Sequence, residues 1–468
     1  FAVELFEKDG HLGGKVGAWP HRLDDGTTVE VEHGFHAFFR QYYNLRRFLD
    51  EVGASGHLRP IDDYRILARG GPGFGFRDIE TAPILNILAM VGTPMLPFRE
   101  LVTRPRLARL MALLTYDPAR TFARYDAMSF DELANRADLP PALRVVFSSF
   151  ARAFFATPDR MSAAEVIKSF HFFYLSHDHG LLYDCLDDTY GRALIDPMRT
   201  RLEAVGGRVR LGSAIEAIAA VGESVHVGGD PFDYLIIATD VVGARAIADA
   251  SPDLRALAPR AMANLGALTP GQPYAVLRLW LDRPARYDLP EFVIVAKDRL
   301  LDSVTFVDRV EAASTAWAAA TGGAVLELHC YSVPDGFDEA DVAGTLKDEL
   351  WDYFPELRAG RLLGESLQIK RNFTAFHVGM RARRPAVETE HPRILLAGDW
   401  VALPGPEMLM EAAVTAGLEA ANAILRREGV QEEPIFSVPG RGLFAGRERV
   451  DACTPASARA PHGPRELS

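Results

Sequence analysis

The first residues able to do chemistry are a carboxylate and a glycine pair. Glu7 closes the apolar run of Ala2, Val3, Leu5 and Phe6, and Gly13, Gly14 and Lys15 follow as E-x5-G-G-K. A carboxylate at the end of a β-strand can accept both hydroxyl hydrogens of an adenosine ribose. Glycines behind it let backbone approach a pyrophosphate, because no Cβ stands in the way. A second group lies in EHGFHAFFRQYYNLRRFL, Glu32 to Leu49: Gly34, then His36 and Arg40, set among Phe35, Phe38, Phe39, Tyr42 and Tyr43. If this segment is helical, His36 and Arg40 share one face. His171 lies in a third apolar and aromatic run, VIKSFHFFYL, where a histidine is either a base in a cavity or a satisfied core residue. Near the C-terminus Gly398-Asp399 follows an apolar run, and a proline-rich loop leads to Glu411.

The elements that must position these groups mix β and α patterns. Short strands are predicted around an Asp24-Asp25-Gly26 turn. Ser129-x-x-Glu132 and Ser162-x-x-Glu165 are capping-box starts of helices. Asp196 to Ala204 reads as a helix ended by Gly206-Gly207, with short strands after it and a buried strand at Phe232 to Thr239. Strands follow at Ala275–Leu281, Phe292–Ala296 and Ala324–Tyr331. Arg278, Trp280 and His329 alternate there with apolar neighbours, so some of them face inward or line a cavity. Val342–Tyr353 reads as a covering helix. A strand at Ile394–Ala397 then feeds a helix over Met408–Leu425, whose free N–H groups can stabilise negative charge. Small residues, among them Ala412, Ala413 and Ala416, permit close approach to it.

Composition narrows the classes. The chain has 468 residues, 48% hydrophobic and 24% charged, as expected of a folded protein of two or three domains. A net charge of −12 disfavours a general nucleic-acid binder. Its 3 cysteines (Cys185, Cys330, Cys453) are far apart, which argues against a disulfide framework or a metal site and fits a reducing, cytoplasmic compartment. The most apolar stretch, Ala82 to Phe98, is too short and too broken by Pro83, Pro94 and Pro97 to span a bilayer. It is either a buried helix end or a patch that dips into one leaflet.

The E-x5-G-G-K pattern resembles the second strand and following loop of FAD-binding flavoproteins of the amine oxidase and carotene desaturase superfamily. Six residues precede Glu7, and a G-x-G-x-x-G fingerprint is expected about 20 residues before the acid. The chain therefore reads as lacking its first strand and phosphate loop. More specific are GFHAFFRQYYNLR (34–46), SFHFFYLSHDHGLLYD (169–184), RLWLD (278–282), TGGAVLELHCY (321–331) and LAGDWVALPGPEMLMEAAVTAGLEAAN (396–422). Together they resemble isorenieratene synthase, the β-ring desaturase and methyl-shift branch of the phytoene desaturase family, over almost the whole chain except the tail.

The resemblance implies an α/β fold: a discontinuous Rossmann-like FAD-binding domain plus a mixed sheet and helical substrate domain. The expected division is 1–60, 191–250 and 366–430 for FAD binding, 61–190 for a helical substrate or lid region, 251–365 for a substrate-domain sheet and 431–468 for a disordered tail. It implies FAD held by Glu7, Gly13, Gly14, Lys15, Gly34, Ile215, Gly398, Asp399, Met410 and Ala413, with His36, Arg40, His171 and Glu411 as candidate catalytic residues and no metal. The expected substrate is a carotenoid whose β-ionone ring loses hydrogens while one geminal methyl migrates, leaving an aromatic ring. Electrons would pass to a quinone or to oxygen. The enzyme is expected to be cytoplasmic and peripherally membrane-associated, with residues 82–98 touching lipid. A desaturase or isomerase of another polyene, a soluble amine oxidase and a non-catalytic polyene-binding relative are the other readings.

Overall fold

Alternation along the strand Tyr274–Leu281 organises the larger half of the fold. Ala275, Leu277, Leu279 and Leu281 point to one side, where they join Leu326, Leu328 and Cys330 in an apolar core covered by the helix Val342–Tyr353. Tyr274, Val276, Arg278 and Trp280 point to the other side, as the period of 2 requires. In this computed structural model the described residues are 1–61, 63, 65–67, 74–75, 77, 81–83, 85–90, 98–221, 224–286, 288–295 and 299–445.

Tyr274–Leu281 lies inside a 7-stranded sheet with the order Leu362–Lys370, Tyr274–Leu281, Ala324–Cys330, Ser303–Phe306, Phe292–Val295, Arg65–Leu67, Phe74–Gly75. All neighbours are antiparallel except Phe292–Val295 with Arg65–Leu67. The sheet is thus mixed, as expected, and its first strand runs across the boundary expected at 365.

The dinucleotide-type elements come from three stretches of chain. Glu4–Phe6 pairs in parallel with Arg208–Arg210, and Leu235–Ile237 pairs in parallel with Ile394–Leu396. The long helix Leu409–Arg427 packs Ala412, Ala416, Ala420 and Ala423 into the core formed with Ile394, Leu395 and Leu396. These alanines recur at helical spacing, so the helix lies close to the strands. Ala413, one position round, is exposed.

A third, helical region holds Pro118–Tyr125, Phe130–Arg136, Pro141–Arg152 and Ala163–Phe170, the last running into a wider π-type turn at His171–Leu175. The capping box at Ser129 and Glu132 forms reciprocally, at 3.2 and 3.1 Å. Among the described residues no helix is long and apolar enough to cross a membrane. The apolar stretch 82–98 is described only in part: helices start at Leu85 and Phe98, and residues 84 and 91–97 lie outside the described residues.

Two sequence expectations need correction. Glu32–Leu49 is not one helix: Phe38–Phe39 is a strand paired with Tyr183–Leu186, and the helix runs only over Tyr43–Val52. Nor is the stretch from 431 onward a loose tail throughout, since residues 431–445 lie along the helical region as a strap. Phe436 exchanges hydrogen bonds with the buried Asn44 side chain at 2.9 and 2.8 Å, Gly442 N–H donates to Tyr116 O at 2.8 Å, and Val438 is buried. Composition hid this because the strap is held by backbone hydrogen bonds, which leave no hydrophobic period. Residues 446–468 lie outside the described residues.

Asn44 also donates to Thr415 Oγ1 at 3.0 Å, so it ties the strap to two helices. Asn44→Ala should lower stability by about 2–3 kcal/mol, the sum of lost hydrogen bonds and unsatisfied buried groups. Denaturant unfolding reads the loss, and limited proteolysis should show faster cleavage between 428 and 445.

Candidate active site

On the polar side of the large sheet, Arg278 and Glu327 are directly opposed across two antiparallel strands. The guanidinium donates Nε and Nη2 to Glu327 Oε2 at 3.1 and 2.9 Å, Nη1 to Glu311 Oε2 at 3.2 Å and Nη2 to Glu32 Oε2 at 3.2 Å. All four side chains are buried. Glu32 ends the strand Thr28–Glu32, and Glu311 precedes the helix Ala312–Thr321. One cation therefore fixes four separate elements.

The charges do not balance. Among the described residues the only other basic side chain paired with these carboxylates is His329, whose Nε2 lies 2.8 Å from Glu327 Oε1. Burial, reinforced by Glu311, pushes the Glu32 carboxyl well above the usual range against the pull of Arg278. Burial also opposes charge on Glu327, but Arg278 and then the His329 hydrogen bond outweigh it, and Glu327 stays ionised. A cavity of about 20 Å³ lies against this cluster, with room for about one water. Thr305 Oγ1, which lines it, has no hydrogen-bond partner among the described residues. A cavity of about 390 Å³ between Ile218 and Pro252 lies apart from these groups and is lined mostly by small residues.

The segment after Glu32 delivers the predicted residues to this cluster. Phe35 N–H donates to Glu327 Oε1 at 2.7 Å. Gly34, at φ +132°, passes so close to the sheet that a Cβ there would lie 3.2 Å from both His329 Cε1 and Val276 Cγ2. His36 Nδ1 donates to the Gly34 carbonyl at 2.7 Å, which leaves Nε2 with the lone pair and no partner among the described residues. Burial pushes the His36 imidazole down to about 4, so it is neutral at physiological pH. The backbone N–H of His36 donates to Tyr190 Oη at 2.8 Å.

His33, which sequence reasoning missed, is buried and lies 2.5 Å through Nε2 from Tyr274 Oη. Tyr274 donates to Asn372 Oδ1 at 3.0 Å, and Asn372 donates to Asp240 Oδ2 at 3.1 Å. Phe373 stacks on Phe155 with centroids 3.5 Å apart and 8° between planes. Phe155 takes φ 57° to do so, a conformation that costs about 1–3 kcal/mol and concentrates at functional sites.

Lys15 stands over Phe373 at 4.5 Å and 3.5 Å from Asp399 Oδ2, and Thr374 donates to Asp399 Oδ1 at 2.8 Å. The glycine loop, the last strand and the aromatic site thus meet through one ion pair. Glu7 follows Glu4–Phe6, and among the described residues its carboxylate engages only the nearby Asp9 N–H, at 2.9 Å. Ser213 N–H donates to Glu7 O at 2.7 Å, so the segment carrying Ile215 runs beside it. Gly13, Gly14 and Gly398 all have positive φ; a Cβ on Gly13 would lie 2.6 Å from Gly17 Cα and one on Gly398 2.5 Å from Trp400 Nε1. The helix Leu409–Arg427 begins with no side-chain cap, and Met410 and Ala413 are on its first turns. A partner-poor carboxylate, a glycine loop, a lysine and an uncapped helix start suit a ribose diol and a diphosphate, and so fit FAD.

Three predicted catalytic residues are occupied elsewhere. Arg40 pairs with Asp184 at 2.7 Å, beside Arg46 on the same carboxylate. The chain from His36 to Arg40 is not helical; extended, four residues span roughly 13 Å, so no shared face exists. His171 Nε2 donates to Pro439 O of the strap at 2.6 Å, and its ring stacks on Tyr116, so it is a core histidine of the helical region. Glu411 accepts from Asn44 N–H at 2.8 Å and Leu45 N–H at 3.0 Å, capping the helix Tyr43–Val52. Burial pushes its carboxyl up to about 7 against those two donors, but both oxygens serve the cap. Of the four, His36 remains at the site. The alternation around Arg278 and His329 was the one sequence signal for the cluster; the parts played by Glu32, Glu311 and Tyr190 had none.

Fold and site together define an FAD-dependent oxidoreductase. A model of the family described as "Flavin containing amine oxidoreductase" matches residues 1–425, and the chain belongs to that family. It is 35% identical to a carotenoid phi-ring synthase of Streptomyces griseus, covering 96% of this chain and 88% of that protein. It is 28% identical to a carotenoid phi-ring synthase of Chlorobaculum tepidum, covering 95% and 88%. Among solved structures, an oxidoreductase from Methanosarcina mazei matches with a TM-score of 0.63 at 17% identity, covering 90% of this chain and 94% of that one. A putrescine oxidase bound to putrescine matches with a TM-score of 0.62 at 17% identity, covering 90% and 93%. These two share the fold.

Arg278→Met would leave buried carboxylates without their cation. A loss of about 3–5 kcal/mol in denaturant unfolding is expected. The deficit should shrink as the pH falls, because unpaired buried carboxylates take up protons in the folded state and regain stability there.

Proposed function

We propose that this oxidoreductase acts on a carotenoid, desaturating a β-ionone ring with migration of one methyl to leave an aromatic ring. The observation that carries the reading is the continuous packed aromatic cluster that begins at Phe35, next to the neutral His36. Phe39 packs on Phe173 at 4.7 Å and on Tyr183 at 5.3 Å between ring centroids, and Tyr42 stacks on Phe172 at 6.1 Å. Phe35 lies 6.3 Å from Tyr183 and stacks on Phe292 at 5.0 Å. The aromatic clusters at 35–43 and 170–174, far apart in sequence, thus form one wall. The likeness to two carotenoid phi-ring synthases over nearly the whole chain supports the same reading.

The chemistry asks for water exclusion, π faces and a neutral base. Bound FAD would supply the hydride acceptor, with Glu7, Gly13–Lys15, Gly398 and Asp399 as its holders. Hydride loss from a trimethylcyclohexene ring leaves a carbocation, which draws a neighbouring methyl across; proton loss then forms a double bond, and a second hydride–proton loss completes the aromatic ring. The aromatic faces stabilise the positive charge. Buried neutral histidines offer lone pairs without adding a competing cation. Quinone or oxygen would take the electrons onward.

A desaturase of an acyclic polyene is the second reading, favoured by 31% identity to the 15-cis-phytoene desaturase of Solanum lycopersicum over 46% of this chain and 37% of that one. The open reading frame that carries this chain should be expressed in a β-carotene-producing bacterium and the pigments profiled. Aromatic-ring carotenoids are expected. Untouched β-carotene with consumption of an acyclic precursor gives the second reading, and no change in any carotenoid removes both.

Peripheral attachment to a membrane surface belongs to the same proposal, since a carotene must be drawn from lipid. Leu85 and Phe98, 51% and 67% exposed, begin short helices, and Met111, 52% exposed, lies within the helical segment Pro105–Leu114, where Arg106 and Arg109 are also exposed. Such a surface suits an anionic bilayer. Phe98→Asp with Met111→Asp should cut binding to anionic liposomes at least tenfold without altering the melting temperature; unchanged binding would remove the membrane assignment.

A further inference from the structure

Gly34 has an imidazole on each side, and the two differ in what holds them. His36 is fixed through Nδ1 by a peptide carbonyl at 2.7 Å. His329 is fixed through Nε2 by Glu327 Oε1 at 2.8 Å. Glu327 is ionised and can only accept, so Nε2 of His329 carries a hydrogen, and in the neutral ring the lone pair is on Nδ1. Neither lone pair has a hydrogen-bond partner among the described residues. Both rings belong to the aromatic site: His36 lies 6.1 Å from His33, and His329 lies 5.6 Å from Tyr331, which packs against Phe155.

We infer that His329, oriented by Glu327, is the base that takes the substrate's proton, and that His36 is a neutral wall of the site. A proton arriving on His36 would create a cation whose fixed neighbour is a carbonyl dipole. A proton arriving on His329 Nδ1 creates an imidazolium 2.8 Å from a carboxylate, and the pair passes from one negative charge to none. The step balances. The C–H bond next to the ring cation breaks, its electron pair becomes the new C=C, and the proton goes to Nδ1; bound FAD would supply the acceptor for the hydride lost before it. Glu327 is the positioning residue. Arg278 and Phe35 N–H hold its two oxygens, so it cannot turn away from His329. Gly34 matters for the same reason: a Cβ there would press on His329 Cε1 at 3.2 Å, next to Nδ1.

The inference rests on the polyene-oxidising reading, and two measurements separate its failure from that of the reading. The first needs no turnover. Nitrogen-15 NMR of histidine-labelled holoenzyme, with His329 assigned by loss of its signal in His329→Gln, should show Nε2 protonated and Nδ1 free; the opposite tautomer overturns the inference whatever the substrate proves to be. The second compares variants on whichever polyene the wild type oxidises. His329→Gly should lose about 10²–10⁴-fold in product formation and recover at least tenfold with added imidazole, while His36→Gln should lose less than tenfold. His329→Gln provides the same comparison if the glycine variant does not fold. Wild-type rates in both His329 variants, absence of imidazole rescue in a folded His329→Gly, or a larger loss in His36→Gln would each assign the proton elsewhere. A wild type inert toward every carotenoid overturns the functional reading and, with it, the role of His329 as a base.

Discussion

Arg278 carries a full charge in the interior, and that charge sets the arrangement of everything near it. A buried guanidinium is tolerated only when its donors are taken up by anions in good geometry. Here Glu327, Glu311 and Glu32 take them up from three different elements. The sheet, the helix Ala312–Thr321 and the strand Thr28–Glu32 are therefore locked in one relation. The backbone leaving Glu32 must pass over Glu327, which brings Gly34 and His36 to the sheet.

That constraint reaches the cofactor residues by a second, weaker link. Lys15 joins the glycine loop to Asp399 and to the face of Phe373. Phe373 in turn belongs to the cluster of Phe155, Tyr274 and His33. The glycine loop and the last strand are thus in contact with the aromatic cluster that packs beside the sheet strand Tyr274–Leu281. The strained Phe155 shows the same economy: backbone conformation is sacrificed to set a ring parallel to its neighbour.

Several features were open to reading from the residues. Period-2 alternation located Tyr274–Leu281 and Ala324–Cys330 within a residue or so, and the capping pairs at Ser129 and Ser162 started the helices they were expected to start. Small residues at helical spacing marked the close-packed helix at 409–427. His36 and Asp399 were legible as polar residues in apolar or glycine-rich settings. Arg40, His171 and Glu411 had the same kind of signal and proved to be partners of Asp184, the strap and a helix start. Residue type cannot tell a free lone pair from one already committed, because the partner lies more than 100 residues away in each case.

By itself the sequence determined the periodic elements, the glycine positions that need positive φ and the family to which the chain belongs, because each is written in local spacing or in shared residues. Only the tertiary structure decided which polar groups are available. Glu32, Glu311 and Glu327 look like ordinary surface carboxylates in a list of residues, and burial around one arginine makes them a charge cluster. His329 looks like one more strand residue, and a carboxylate two positions away on the same face gives it a fixed tautomer. Burial and hydrogen-bond partners are properties of pairs brought together by folding, and no single stretch of chain contains them.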